Sequence, residues 1–169
     1  MRDQVLDYCA TEYNEKELFI GKQFDTCIIG ICYDMPSGFT PAYDLDKILA
    51  ILMKKKKLTE DEAIKYFNIE ILDKNPVISF IKMSNETPDV LSEYNNSMLF
   101  LDGYPHNCVI GVRIKKDTKI VAAYSDADCV DSLMEDDEMT DEDAVEFFEY
   151  NTRGSYVGEH TPVFVTLFF

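Results

Sequence analysis

Cys27-Ile28-Ile29-Gly30-Ile31-Cys32-Tyr33 and Cys108-Val109-Ile110-Gly111-Val112-Arg113-Ile114 lie 81 positions apart in a chain of 169 residues. Working outward from this pair without a gap, Leu18-Phe19 meets Leu99-Phe100, and Ala42-Tyr43 meets Ala123-Tyr124. Further on, Leu52-Met53 meets Leu133-Met134, and Thr59, Ala63 and Phe67 meet Thr140, Ala144 and Phe148. Residues 18–68 and 99–149 share 12 identities in 51 positions, where ordinary composition gives about three by chance. With small gaps the match extends to Val5-Leu6 with Val90-Leu91. It also pairs Pro76–Phe80 with Pro162–Thr166, with about five extra residues before the second proline. The chain therefore reads as two tandem copies of one unit, residues 1–84 and 85–169.

Cys27–Tyr33 and Cys108–Ile114 are β-branched runs that predict strands. Turn residues follow each, Asp34-Met35-Pro36-Ser37-Gly38 and Lys115-Lys116-Asp117-Thr118, and Phe39–Tyr43 and Lys119–Tyr124 return to complete hairpins. Leu45, Ile48, Leu49 and Leu52 have helical spacing, as do Cys129, Val130, Leu133 and Met134. Thr59-Glu60-Asp61-Glu62 reads as a capping box, in which the threonine hydroxyl and the glutamate satisfy each other's backbone N–H groups. Thr140-Asp141-Glu142-Asp143 repeats it with a shorter acid. Helices are expected over Glu60–Asn68 and Asp141–Tyr150, and final strands over Val77–Lys82 and Val163–Phe169. The expected fold class is α+β: two tandem helix–hairpin–helix–helix–strand units, each a small antiparallel sheet covered by helices, related by a pseudo-twofold axis.

The net charge is −16, and it is lopsided. Residues 1–84 hold 14 acids and 11 bases, whereas residues 85–169 hold 18 acids and 5 bases. The densest part is Glu135-Asp136-Asp137-Glu138 followed by Asp141-Glu142-Asp143, where the first copy has Lys54-Lys55-Lys56-Lys57. Such acidity disfavours direct binding to a phosphate backbone and favours a basic partner or mimicry of nucleic acid. These acids also suit helix starts on a solvated face. No run approaches the roughly 18 apolar residues of a membrane span, and the N-terminus lacks a secretory pattern. The expectation is a soluble protein of the cytoplasm, with no membrane partner. The five cysteines form no CxxC pair and mostly sit in apolar runs, as small buried hydrophobes in a reducing compartment.

Signatures of nucleotide, zinc-protease and serine-hydrolase sites are absent, so neither cofactor nor catalytic residue is assigned. Two histidines, His106 and His160, exclude metal sites built on several imidazoles, and no metal is expected. His106-Asn107-Cys108 reads as a loop histidine before a buried strand cysteine. The unusual segment is 150–162, where Asn151, Gly154, Tyr156, Gly158 and Glu159 separate a helix from a strand. Asn151 or Gly154 in the left-handed position would cap the helix, with Gly158 in a turn. The other reading is a small polar pocket.

Met139–Asn151 and Gly154–Pro162 resemble a family of small uncharacterised tailed-bacteriophage proteins with a T-x-x-E/D-A-x-x-F/Y-F-x-Y/F-N-x-x-G-x-Y-V-G-E-x-T-P signature. Tyr43-Asp44-Leu45-Asp46-Lys47 and Ile51-Leu52-Met53 resemble another stretch of it. The resemblance covers about half of each copy and implies a phage or prophage origin, hence the host cytoplasm. The copies depart from the pattern in complementary ways, since the first lacks the glycine-rich segment and the second has Tyr124-Ser125-Asp126-Ala127-Asp128. This suggests one composite binding site, with Tyr43, Asp44 and Asp46 from the first copy and Asn151, Tyr156 and Glu159 from the second.

Three function classes follow. The first is a non-enzymatic accessory protein that binds and modulates a host protein, in its sharpest form an anti-defence or DNA-mimic inhibitor. Its acidic partner surface would be Glu135, Asp136, Asp137, Glu138, Asp141, Glu142 and Asp143. The second is an enzyme or a small-ligand or metal-binding protein using carboxylates and Asn151. The third is a structural component of the virion.

Overall fold

The computed structural model describes residues 1–9, 13–35, 38–136 and 138–168. Short helices α1 (Arg2–Cys9) and α2 (Glu15–Leu18) precede the hairpin β1 (Ile28–Asp34) and β2 (Gly38–Asp44). Helices α3 (Leu45–Lys56) and α4 (Glu60–Tyr66) lead to β3 (Ser79–Met83). After α5 (Pro88–Leu91) come β4 (Val109–Ile114), β5 (Val121–Ser125), α6 (Asp126–Asp136), α7 (Asp141–Phe147) and β6 (Val163–Leu167). Helices α4 and α7 each run on into a π-helical turn, Phe67–Leu72 and Phe148–Arg153.

The expectation of two units, each with its own small antiparallel sheet, is overturned. All six strands form one closed barrel in the order β1-β2-β3-β4-β5-β6. The β2–β3 and β5–β6 pairs are parallel and the other four are antiparallel. A three-stranded sheet exposes two rows of unpaired N–H and C=O groups. Here β3 pairs with β4, and β6 with β1, so neither half keeps an open edge. The parallel pairs follow from the connections, because α3–α4 and α6–α7 carry the chain back across the sheet as crossover segments.

Hairpin geometry recurs at the spacing read from the sequence. Ile28 faces Tyr43 and Gly30 faces Ala42; Val109 faces Tyr124 and Gly111 faces Ala123, with a register shift at the same point in each hairpin. The third strands are displaced from expectation. Ala42 pairs with Ser79 and Ala123 with Val163, so the insertion in the second half is three residues rather than five. Lining up Pro76 with Pro162 had slipped the strands by two.

Strand alternation sorts the side chains into three apolar clusters. Cys32, Ala42, Ile81, Val121, Ala123, Val163 and Val165 pack together in the lumen. Outward-facing Ile31, Tyr43 and Phe80 pack beneath α3 and α4 with Ile48, Leu52 and Phe67. Val112, Tyr124 and Phe164 pack beneath α6 and α7 with Cys129, Leu133 and Phe148. Phe67 meets Phe80 edge-on at 4.9 Å, and Phe148 meets Phe164 edge-on at 5.1 Å, a favoured aromatic geometry.

Both helix starts are capped by threonine. Thr59 accepts from the Glu62 N–H at 3.4 Å, and the Glu62 carboxylate accepts from the Thr59 N–H at 2.9 Å. Thr140 accepts from the Asp143 N–H at 3.2 Å, but the shorter Asp143 side chain takes the Thr140 hydroxyl instead of the backbone N–H. The Thr59 N–H, then its hydroxyl, lowers the Glu62 pKa below the ordinary glutamate value. A carboxylate depressed in the folded state contributes stability above its unfolded pKa and loses it as pH falls through the folded value. A carboxyl-detected NMR titration should therefore place Glu62 below the ordinary glutamate value, and Thr59→Ala, which removes the hydroxyl but keeps the backbone N–H, should undo only part of that depression while destabilising the protein by about 1 kcal/mol.

Candidate functional site

The six composite-site residues fall in three places. Tyr43 is fully buried in the first-half core. Burial, above all, pushes its hydroxyl pKa well up, and the hydroxyl faces the Ile20 backbone too loosely to count as a hydrogen bond. Its counterpart Tyr124 accepts from the Leu101 N–H at 3.0 Å, and burial raises its pKa to about 12. Asp44 caps α3 by accepting from the Lys47 N–H at 3.1 Å. Asp46 pairs with Lys82 on β3. All three residues therefore have structural partners or core positions.

Asn151, Tyr156 and Glu159 lie elsewhere. Asn151 is exposed on the second π-helical turn and borders a cavity of about 160 Å³ with Tyr104, Thr152 and Val157. Tyr156 and Glu159 border a second cavity, of about 170 Å³, that Tyr43, Asp44 and Asp46 do not reach. Neither Asn151 nor Gly154 is left-handed: Asn151 lies inside the turn and Gly154 has φ −76°. Gly154 instead permits a close approach, since a Cβ there would lie 3.0 Å from the Glu149 carbonyl oxygen. Gly158 has φ +110°, and Thr161 closes its turn by donating to the Gly158 carbonyl and accepting from the Val157 N–H at 3.0 Å.

The 170 Å³ cavity lies at one mouth of the barrel, over a cluster of buried charges. Asp34 is 5% exposed, Arg113 3% and Lys115 8%. Strands β1 and β4 stand on opposite sides of the ring, so Asp34 reaches across the lumen. It accepts from Arg113 at 3.2 Å and from Lys115 at 2.9 Å. A second guanidinium nitrogen donates to Thr118. Arg113 pairs in register with lumen-facing Ile81 and Val121, which places it on the inner face. Asp34 and Lys115 stand 81 positions apart, the spacing of the internal sequence match, so matched positions carry opposite charges.

Sequence reasoning passed over these residues because each sat at a turn or in a strand already assigned. A signal was present: Arg113 falls on an inward position of an otherwise apolar run. The ungapped match also sets Asp34 on Lys115, opposite charges at one position.

The acidic residues of the second half lie on α6, α7 and their junction. Glu135, Glu138, Asp141, Glu142 and Asp143 are exposed. The Asp136 side chain and all of Asp137 fall outside the described residues. Glu138 has φ 53° and Lys57, its counterpart, φ 57°, so both terminate a helix in the left-handed conformation. Between α6 and α7 runs an open groove of about 350 Å³ bordered by Asp126, Asp131, Asp141 and Glu149, together with Arg153 and the apolar Val130, Val145 and Phe148. The matching groove between α3 and α4, about 330 Å³, is bordered by Leu45, Leu49, Glu60, Ile64 and Lys82. Among the described residues, the ion pairs formed by residues 126–153 reduce to Arg153 with Glu149.

All five cysteines are free and buried, and burial pushes the Cys32 thiol up to about 12, so its thiolate is scarce at neutral pH. His106 is exposed. Among the described residues no group of three or more His, Cys, Asp or Glu side chains is placed to hold a metal ion. No described helix is long and apolar enough to cross a membrane. Comparison with protein-family models, curated proteins and solved structures finds no match to this chain.

Proposed function

We propose that this protein acts by binding, and that its α6–α7 face docks a basic surface on another protein. The carrying observation is the α6–α7 groove, where four carboxylates border a space that the α3–α4 groove lines mainly with apolar side chains. A lysine or arginine from a partner would neutralise Asp126, Asp131 and Asp141, which form no ion pair among the described residues, whereas Glu149 already pairs with Arg153. Phe147, Tyr150 and Val157, all exposed, follow the acidic segment in the chain and supply the aromatic and apolar area that anchors interfaces. The resemblance to tailed-phage proteins fits an accessory protein that occupies a nucleic-acid-binding groove of a host enzyme. A single acidic face is better suited to that role than to the repeated contacts of a virion lattice.

The test is affinity capture from host lysate across a salt series, repeated with Asp131→Lys, Asp141→Lys and Glu142→Lys combined. A partner captured at about 50 mM salt should be lost by about 300 mM, because exposed charges are screened within about 10 Å at 0.1 M. The triple variant should capture none while still unfolding cooperatively, with a modestly lower melting temperature because Asp141 and Glu142 stand in the first turn of α7. Capture indifferent to both salt and charge reversal would refute the docking face. Recovery of the protein in purified phage particles would favour the structural reading instead.

A further inference from the structure

The two helical hairpins are built alike and charged oppositely. Residues 54–65 hold five lysines and three acids, net +2, whereas the matched residues 135–146 hold eight acids and no base, net −8. Lys54, Lys57 and Lys65 stand where Glu135, Glu138 and Glu146 stand 81 positions later. All six are exposed, and none joins an ion pair among the described residues. Lys57 and Glu138 end their helices in the same left-handed conformation, so one backbone shape presents both sets. Exposed apolar side chains recur at matched positions as well, Met53 and Ile64 in the first half and Met134 and Val145 in the second.

These two faces lie on opposite sides of the molecule. Strands β2 and β5 stand three places apart in the ring of six, and α3–α4 and α6–α7 cover the separate outer cores of the two halves. The lysines and acids therefore cannot meet within one chain, but they can meet between two. We propose that the α3–α4 face docks head to tail on the α6–α7 face of a second copy of this chain. The contact uses the acidic docking face described above, rests on that reading, and names one basic surface that fits it. Charge decides the polarity: a symmetric contact would set −8 against −8 or +2 against +2, and the head-to-tail contact sets +2 against −8. Two chains of net charge −16 repel as wholes, but charges more than about 10 Å apart are screened at 0.1 M salt, so the pairs nearest the contact decide. Exposed pairs each contribute little, so the association is reversible, and a basic host surface would compete for the same face.

Sedimentation velocity of the full chain over about 10–500 µM tests the contact. Mean mass should rise with concentration past that of a dimer at about 0.1 M salt and return to the monomer at about 0.5 M. Lys54→Glu, Lys57→Glu and Lys65→Glu combined should weaken association about tenfold or more, as should Glu135→Lys, Glu138→Lys and Glu146→Lys combined. Each substitution installs the residue of the matched position, on an exposed site, so the backbone accepts it. A one-to-one mixture of the two variants should associate again, since each keeps the face that the other has lost. A chain monomeric at every concentration, a dimer that grows no further, or a mixture no more associated than its parts would overturn the head-to-tail contact. Host capture by a chain that stays monomeric would overturn it while leaving the α6–α7 docking face intact. Salt-sensitive self-association without host capture would uphold it and remove the host partner.

Discussion

Gly111→Ala is expected to destabilise the protein by about 3–5 kcal/mol, a large share of the 5–15 kcal/mol typical of a whole domain. Gly111 has φ +144°, and a Cβ there would lie 2.1 Å from the Lys82 carbonyl oxygen on the neighbouring strand. Two penalties act at once, a backbone conformation that L residues rarely adopt and an overlap with main chain that no rotamer change relieves. The overlap falls on the β3–β4 seam, one of the two places where the halves join. Gly30 marks the other seam, where a Cβ would lie 1.9 Å from the Thr166 carbonyl oxygen on β6. Gly103 supplies the control. Its φ is +86° but nothing lies within 4 Å, so Gly103→Ala should cost only the strain, about 1–2 kcal/mol. Urea unfolding of the three alanine variants checks the ranking. A Gly111→Ala variant no weaker than Gly103→Ala would mean that the seam is not closed as described.

Asp34→Leu should be comparably damaging, at about 3–5 kcal/mol, because it leaves Arg113 and Lys115 buried with no counter-charge. The apolar part of the lumen, of cysteine, alanine, valine and isoleucine, supplies no counter-charge, and among the described ion pairs the buried Arg113 and Lys115 meet Asp34 alone. The pair's own attraction is not the source of the loss, since burying ions forfeits hydration that their contact only partly restores. Replacing all three residues, with Asp34→Leu, Arg113→Met and Lys115→Met, should therefore recover most of the stability or exceed the wild type. Thermal unfolding of the single and triple variants separates the two cases. A harmless single variant would show that water already reaches the cluster.

Local features were legible in the sequence to the extent that local physics produces them. Cys27–Tyr33 and Cys108–Ile114 are dense in β-branched residues and fall almost wholly within β1 and β4. Thr59 and Glu62 sit three apart, as a capping box requires, and both bonds form. The helical stripe of Leu45, Ile48 and Leu52 is buried. The binding residues were read less well. Tyr43, Asp44 and Asp46 enter the expected site through the resemblance of Tyr43–Lys47 to the tailed-phage family, a stretch that the second half lacks. A buried hydroxyl, a helix cap and an ion pair account for them instead. Tyr156 and Glu159 do share a cavity, but the charges beneath it come from β1 and β4, far away in the chain.

The sequence by itself determined the strand runs, the two hairpins, the helix starts and the concentration of acid in the second half, since each depends on residues a few positions apart or on composition alone. Tertiary structure decided which strands became neighbours. Unpaired N–H and C=O groups on β3, β4, β6 and β1 must bond somewhere, and any edge of matching length satisfies that need, so no residue pattern within one half names the partner. Closure of the ring then brought Asp34 within 3.2 Å of Arg113 and 2.9 Å of Lys115 across the lumen. Residues about 80 positions apart became a single buried charge cluster only because the edges met.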